Sequence, residues 1–155
     1  MKDLKNISRI YFLGIGGIGM SALAKYFNEK NVTVSGYDKT STGLTREMEL
    51  SGISIHYTED VQQLDKEAQL VVYTPAVPGN HKEFIYYTQN NYEIVKRSEV
   101  LGEISKTSFN ICIAGTHGKT TISTMIAHIL RDSDFGCTAF LGGISVNYST
   151  NFWSS

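Results

Sequence analysis

Apolar and polar positions fall into blocks along this chain, and the blocks follow one repeating order. Ile10 to Leu13 is a short apolar run that stops at Gly14, and past the next glycines Met20, Leu23, Ala24 and Phe27 recur at helical spacing. The pattern predicts strand, glycine turn, helix. After the turn-prone residues 29–31, residues 32–38 read as a second strand ending on an acidic side chain, which completes one βαβ unit. A helix over 45–50, a strand over 53–56 and a stronger strand over 69–73 follow, the last closed by the proline-containing loop 74–79. Helical spacing returns over 81–89, a short strand over 93–95, and a further helix over 98–106. Repeated βα units of this length predict an α/β fold: a Rossmann-like, mainly parallel sheet with helices on both faces.

At residues 107–108 the pattern restarts, with a strand over 109–114, a glycine turn and a helix over 119–131. Ile122, Met125, Ile126, Ile129 and Leu130 stand at i, i+3, i+4, i+7 and i+8, so one face of that helix is expected to be buried. Residues 137–141 read as the next strand, ending at Gly142 and Gly143, and the polar stretch 147–155 completes no further helix. The boundary near 106–108 divides the chain into a first domain, residues 1–106, and the first strand and loop-borne helix of a second α/β domain, residues 107–155. No internal repeat is found.

Composition narrows the classes. A chain of 155 residues, 41% hydrophobic and 19% charged, is globular rather than disordered. Fourteen Lys and Arg against fifteen Asp and Glu leave a charge of −1, too little for a field that draws nucleic acid or an anionic membrane. Residues 1–9 are polar, and no apolar run approaches the ~20 residues that cross a bilayer. Cys112 and Cys137 are too few for a disulfide framework, so a reducing cytoplasm is the expected compartment. None of this reads out an oligomeric state.

The chemistry concentrates in two glycine loops. Gly14, Ile15, Gly16, Gly17, Ile18 and Gly19 spell G-x-G-x-x-G between a strand and a helix, and Asp38 stands nineteen residues further on. Such a loop turns tightly, lets backbone N–H groups approach a pyrophosphate with no Cβ in the way, and aims a helix N-terminus at it. Asp38, at the end of the second strand, suits ribose hydroxyls. The pattern fits a dinucleotide or a nucleotide sugar and does not choose; the plainer reading is close strand–helix packing with Asp38 capping a turn. The second loop is Ala114, Gly115, Thr116, His117, Gly118, Lys119, Thr120 and Thr121. It is a variant P-loop, with Ile113 where the strict pattern has glycine. In such a loop the backbone wraps the phosphates of ATP, Lys119 reaches the β- and γ-phosphates and the Thr120 hydroxyl ligates Mg²⁺. The acids after Lys119 are Asp132 and Asp134, at the far end of the helix, so no carboxylate is placed to complete the Mg²⁺ site. His56 and His81 read as surface or loop histidines without the spacing of a zinc site.

Taken together, residues 14–24, 34–38, 95–101 and 114–121 resemble the Mur ligases. His117 and the run from Gly17 to Ser21 favour the alanine-adding branch of that family, with the branch that recycles murein tripeptide as its nearest competitor. The resemblance implies an ATP-dependent carboxylate–amine ligase of peptidoglycan precursor synthesis in three domains. ATP phosphorylates the carboxylate of UDP-N-acetylmuramate, and the amine of L-alanine attacks the acyl phosphate. Carried onto this chain, Gly14, Ile15, Gly16, Gly17, Ile18 and Gly19 hold the UDP pyrophosphate, Asp38 contacts the uridine, and Arg97 approaches the substrate phosphates, although a solvated charge at a helix start explains Arg97 as well. Gly115, Thr116, His117, Gly118, Lys119, Thr120 and Thr121 hold ATP, with Lys119 and Thr120 catalytic and Thr120 on Mg²⁺. The loop 74–79 borders the sugar. The resemblance further implies that this chain is an inactive N-terminal fragment. Residues 107–155 are then expected to be more mobile than 1–106, or packed otherwise than in the whole enzyme. Two other readings stand beside it: an NAD(P)-binding domain of an oxidoreductase, which leaves the P-loop unexplained, and a nucleotide-sensing module.

Overall fold

The first four apolar runs and the short one after them become five parallel strands in the computed structural model, which describes residues 4–154. Residues 1–3 and 155, the outer ends of the polar stretches 1–9 and 147–155, lie outside the described residues. The strands are β1 (Arg9–Leu13), β2 (Thr33–Tyr37), β3 (Ser54–His56), β4 (Leu70–Tyr73) and β5 (Ile94–Lys96), in the order β3-β2-β1-β4-β5. In the central strand Ile10 lies between Val34 and Leu70, and Leu13 between Tyr37 and Tyr73. Successive side chains of β1 point to opposite faces, and both faces are covered, which is why its sequence is apolar at every position from Ile10 to Leu13. Ile10 and Phe12 meet Met20, Leu23 and Phe27 of α1 (Ile18–Glu29), Met48 of α2 (Gly43–Leu50) and Val100 of α4 (Arg97–Ser105). Tyr11 and Leu13 meet Tyr87 of α3 (Lys82–Gln89). Helices therefore cover both faces of a parallel sheet, as the block pattern predicts. Each fully enclosed Leu, Ile or Phe contributes roughly 1.5–3 kcal/mol.

The rest departs from expectation in three places. Residues 109–114 form no strand: no described strand runs beside them to complete a ladder, and Phe109 stands 94% exposed. The helix α5 (Lys119–Asp132) forms, but its apolar stripe is not buried; Ile122, Met125 and Ile129 are each about half exposed. The reason is that α5 packs on one flank only, where Ala127 meets Ala139, Leu141 and Trp153. Those partners come from an antiparallel hairpin, β6 (Ala139–Ser145) with β7 (Thr150–Trp153), so the polar stretch after residue 147 supplies a strand. Asn151, Phe152 and Trp153 of β7 are buried.

The hairpin lies on the outer side of α1. Tyr26 stacks its ring against Phe140 and Phe152 at centroid separations of 5.5 and 6.1 Å. Asn151, wholly buried, donates from Nδ2 to the Ile18 carbonyl at 2.6 Å and to Ser21 Oγ at 2.9 Å. Lys25 Nζ reaches Glu47 of α2 at 2.8 Å and Thr150 Oγ1 at 3.1 Å, and Ser154 Oγ donates to Glu29. Among the described residues no helix is long and apolar enough to cross a membrane.

Candidate functional site

Two of the helices that begin without a side-chain cap, α1 and α5, begin on a glycine loop. By contrast α2 closes its first turn with Thr42 and Thr45, each accepting from the other's backbone N–H. Ahead of α1, the N–H groups of Gly14 and Ile15 donate to the Tyr37 carbonyl at 2.8 and 3.0 Å, which pins the loop to the end of β2. Gly17 is the N-cap and offers no side chain, so the N–H groups of Ile18 and Gly19 keep no acceptor among the described residues. They point out of the positive end of the helix dipole, where an anion is favoured. Asp38 follows β2 directly, and its Oδ2 accepts from Gly16 N–H at 2.7 Å while Oδ1 accepts from Thr40 N–H at 3.0 Å.

Arg97 enters from the start of α4 and lays its guanidinium over Gly19 so closely that a Cβ at residue 19 would stand 2.5 Å from Arg97 Nη1. Among the described residues no carboxylate pairs with it. An unpaired guanidinium beside two open N–H groups is an arrangement for a phosphate. Both border a cleft of about 370 Å³, whose far wall is Phe140, Leu141 and Gly142 of β6. Thr74, the first residue of the loop 74–79, lines it as well; the prolines of that loop do not.

The second loop has the same form with a looser setting. Gly118 caps α5 in the left-handed region at φ 77°, a conformation that glycine adopts without a Cβ penalty, and no side chain caps the helix. The N–H groups of Lys119, Thr120 and Thr121 have no acceptor among the described residues. Lys119 folds back, its Nζ donating to the carbonyls of Gly115 at 2.5 Å and Thr116 at 3.2 Å. The Thr120 hydroxyl makes no hydrogen bond among the described residues and abuts the backbone of Gly142. His117 is exposed. Among the described residues no group of three His, Cys, Asp or Glu could hold a metal.

All the residues singled out from sequence thus gather at two helix mouths, with Asp38 and Arg97 brought to the first by tertiary structure. Sequence reasoning missed the β6 wall, Leu141 and Gly142, whose only visible signal was a glycine pair ending an apolar run. It also misplaced two histidines. His81 is buried, its ring centroid 4.5 Å from that of Tyr37 and its Nε2 3.6 Å from Glu59. His56 Nε2 lies 2.8 Å from Oε1 of the buried Glu83, whose Oε2 accepts from the Tyr11 hydroxyl at 2.7 Å. These partners lie far off in sequence, so nothing nearby announces the burial of His81 or the contact of half-buried His56 with Glu83. Burial first, and the Glu83 charge second, push the Tyr11 hydroxyl far above its ordinary range.

Comparison with known proteins places this geometry. Residues 9–109 match the Mur ligase family, catalytic domain. A UDP-N-acetylmuramate–L-alanine ligase of Phocaeicola vulgatus is 52% identical over 154 residues, covering 96% of this chain and 34% of the relative. The chain thus spans about a third of the length of the curated relatives it matches. Of solved structures, UDP-N-acetylmuramate–alanine ligase from Thermotoga maritima superimposes with a TM-score of 0.89 at 31% identity, covering 95% of this chain and 35% of that one. A UDP-N-acetylmuramate:L-alanyl-γ-D-glutamyl-meso-diaminopimelate ligase from Neisseria meningitides gives 0.86 at 26% identity, covering 94% and 46%. Coverage of 95% is too much of the chain to leave out the segment after residue 107, so most of that segment takes part in the likeness.

Proposed function

The chain belongs to the Mur ligase family, and from that premise we propose that it carries the sugar-nucleotide site and the ATP phosphate loop of a UDP-N-acetylmuramate–L-alanine ligase. Residues 1–106 are the UDP-sugar unit and residues 107–155 the start of the ATP unit. The observation that carries the reading is the cleft itself: open N–H groups and Arg97 on one side, and on the other Gly142, backed by Thr120 of the second loop. Two phosphate sites sharing a wall suit a reaction in which a phosphoryl group passes from one substrate to the other.

In this reading Ile18 N–H, Gly19 N–H and Arg97 hold the UDP pyrophosphate, with Gly14, Gly16 and Gly17 keeping the approach clear. Asp38 gives up the Gly16 N–H to a ligand oxygen and turns to uridine hydroxyls. Lys119 leaves the carbonyls of Gly115 and Thr116 for the phosphates of ATP, which the backbone from Gly115 to Thr121 wraps, His117 included. The Thr120 hydroxyl, a hard oxygen donor with no other partner among the described residues, fits Mg²⁺ and would hold it. Held there, it would supply charge that neutralises the phosphates.

The chemistry follows from the substrates. A carboxylate is a poor electrophile, and its oxygen is a poor leaving group. A carboxylate oxygen of UDP-N-acetylmuramate takes the γ-phosphoryl group as ADP departs; the L-alanine amine then adds to the acyl carbon, loses a proton, and phosphate leaves. Lys119 stabilises the charge that builds on the transferring group. The substrates are soluble precursors of peptidoglycan, which puts the reaction in the cytoplasm. The tripeptide-recycling branch shares the fold, and the 52% identity favours alanine. A calorimetric titration with UDP-N-acetylmuramate, Mg-ATP and NAD in parallel tests the reading. Binding of the sugar nucleotide is expected; binding of NAD in its place would return the first loop to the dehydrogenases.

A further inference from the structure

Strand β6 loses its pairing register between Phe140, opposite Phe152, and Ser145, opposite Thr150. Four residues of β6 therefore bow outward against the single residue Asn151, and the bow contains Gly142 and Gly143. Consecutive residues of a regular strand face opposite ways, yet both glycines here face Thr120. A Cβ on Gly142 would stand 2.9 Å from Thr120 Oγ1, and a Cβ on Gly143 would stand 3.1 Å from Thr120 Cγ2. Neither glycine has a positive φ, so close approach to Thr120 rather than backbone conformation is what a side chain there would meet. Both branches of the exposed Thr120 side chain thus lie against the backbone of the bow, and among the described residues no hydrogen bond sets its rotamer.

We propose that Gly142 and Gly143 are positioning residues of the P-loop: lacking Cβ atoms, they form the socket that fixes the Thr120 rotamer, and with it the direction of the hydroxyl offered to the nucleotide's metal ion. The inference rests on the nucleotide reading of the second loop. It assigns a role to the glycine pair that neither phosphate-loop motif contains, and it accounts for the bow in β6, which a hairpin serving only to cover α1 would not need.

The socket makes a steric prediction that ordinary structural damage does not. Thr120→Ser removes Cγ2, the atom that a Gly143→Ala methyl would strike, and keeps the hydroxyl. Mg-ATP is titrated into the unsubstituted chain, Gly143→Ala, Thr120→Ser and the double variant, with UDP-N-acetylmuramate as a second ligand for each. Gly143→Ala crowds Thr120, and it is expected to weaken Mg-ATP by about tenfold. The sugar nucleotide should bind Gly143→Ala unchanged, and the double variant should return to the affinity of Thr120→Ser, whatever that is. Gly143→Ala binding Mg-ATP like the unsubstituted chain, or a double variant no tighter than Gly143→Ala, would overturn the proposal while leaving the nucleotide reading intact. An unsubstituted chain that ignores Mg-ATP would remove the nucleotide reading and the proposal with it.

Discussion

The loop from Gly14 to Gly19 stands on a strand enclosed on both faces, and its first two N–H groups are spent holding it to β2. The loop from Gly115 to Thr121 follows a segment that pairs with no strand among the described residues and opens a helix in which Ala127 is the one buried residue. Both turn on glycine, and both leave their helix N-termini uncapped. The difference teaches that an anion-binding helix mouth is a local property, written in a few residues, whereas the rigidity of its support is non-local and depends on which strands and helices come to lie beneath it.

That contrast can be broken or sharpened by substitution. Leu23→Ala, in the core under the first loop, should cost about 2–5 kcal/mol in denaturant unfolding; a cost below about 1 kcal/mol would mean the first loop is no better supported than the second. Asn151→Ala removes the buried amide that ties the hairpin to Ile18 and Ser21, an effect of about 1–3 kcal/mol. Amide exchange should quicken across β6, β7 and α5 while β1 and β4 stay protected, and uniform quickening would erase the distinction.

Alkaline pH should act on the sheet side alone. Burial holds the proton of Tyr11, and of Tyr87 beside it, well past the ordinary value of 10.0. Below that pH both states keep the proton and stability is unaffected; above it the unfolded chain releases a proton that the folded chain retains. Stability should therefore fall by up to about 1.4 kcal/mol per pH unit for each tyrosine, and Tyr11→Phe should flatten the fall. An alkaline profile unchanged in Tyr11→Phe would contradict the burial argument. The smallest effect is expected at Met125→Ala on the open stripe of α5, within about 0.5 kcal/mol; several kcal/mol there would show the stripe to be covered.

How much of this was legible in the sequence differs between the regions for the same reason. The periodicity of Ile10 to Leu13 and of Met20 to Phe27 predicts the strand and helix that form, because their partners are themselves apolar runs in the next βα units. Residues 109–114 are as apolar, yet a strand exists only where another lies beside it, and periodicity does not report a neighbour. The stripe on α5 fails in the same way. The hairpin strand Thr150–Trp153 was hidden by its polar surroundings, although Phe152 and Trp153 carry its burial. At the site, the glycine loops, Asp38, Lys119 and Thr120 are visible as motifs. Arg97 needed the fold to bring α4 across to Gly19, and Gly142 and Gly143 needed a bowed strand that no motif describes.

The central claim is that the first loop, with Arg97, holds the diphosphate of a UDP sugar. Amide and guanidinium NMR shifts of the labelled chain, followed as UDP-N-acetylmuramate is added, test it most directly. The account predicts saturable shifts at Gly16, Ile18 and Gly19 and at the Arg97 side chain, with the Asp38 hydrogen bond to Gly16 released. Shifts absent from that loop, or produced there by NAD and not by the UDP sugar, would contradict it.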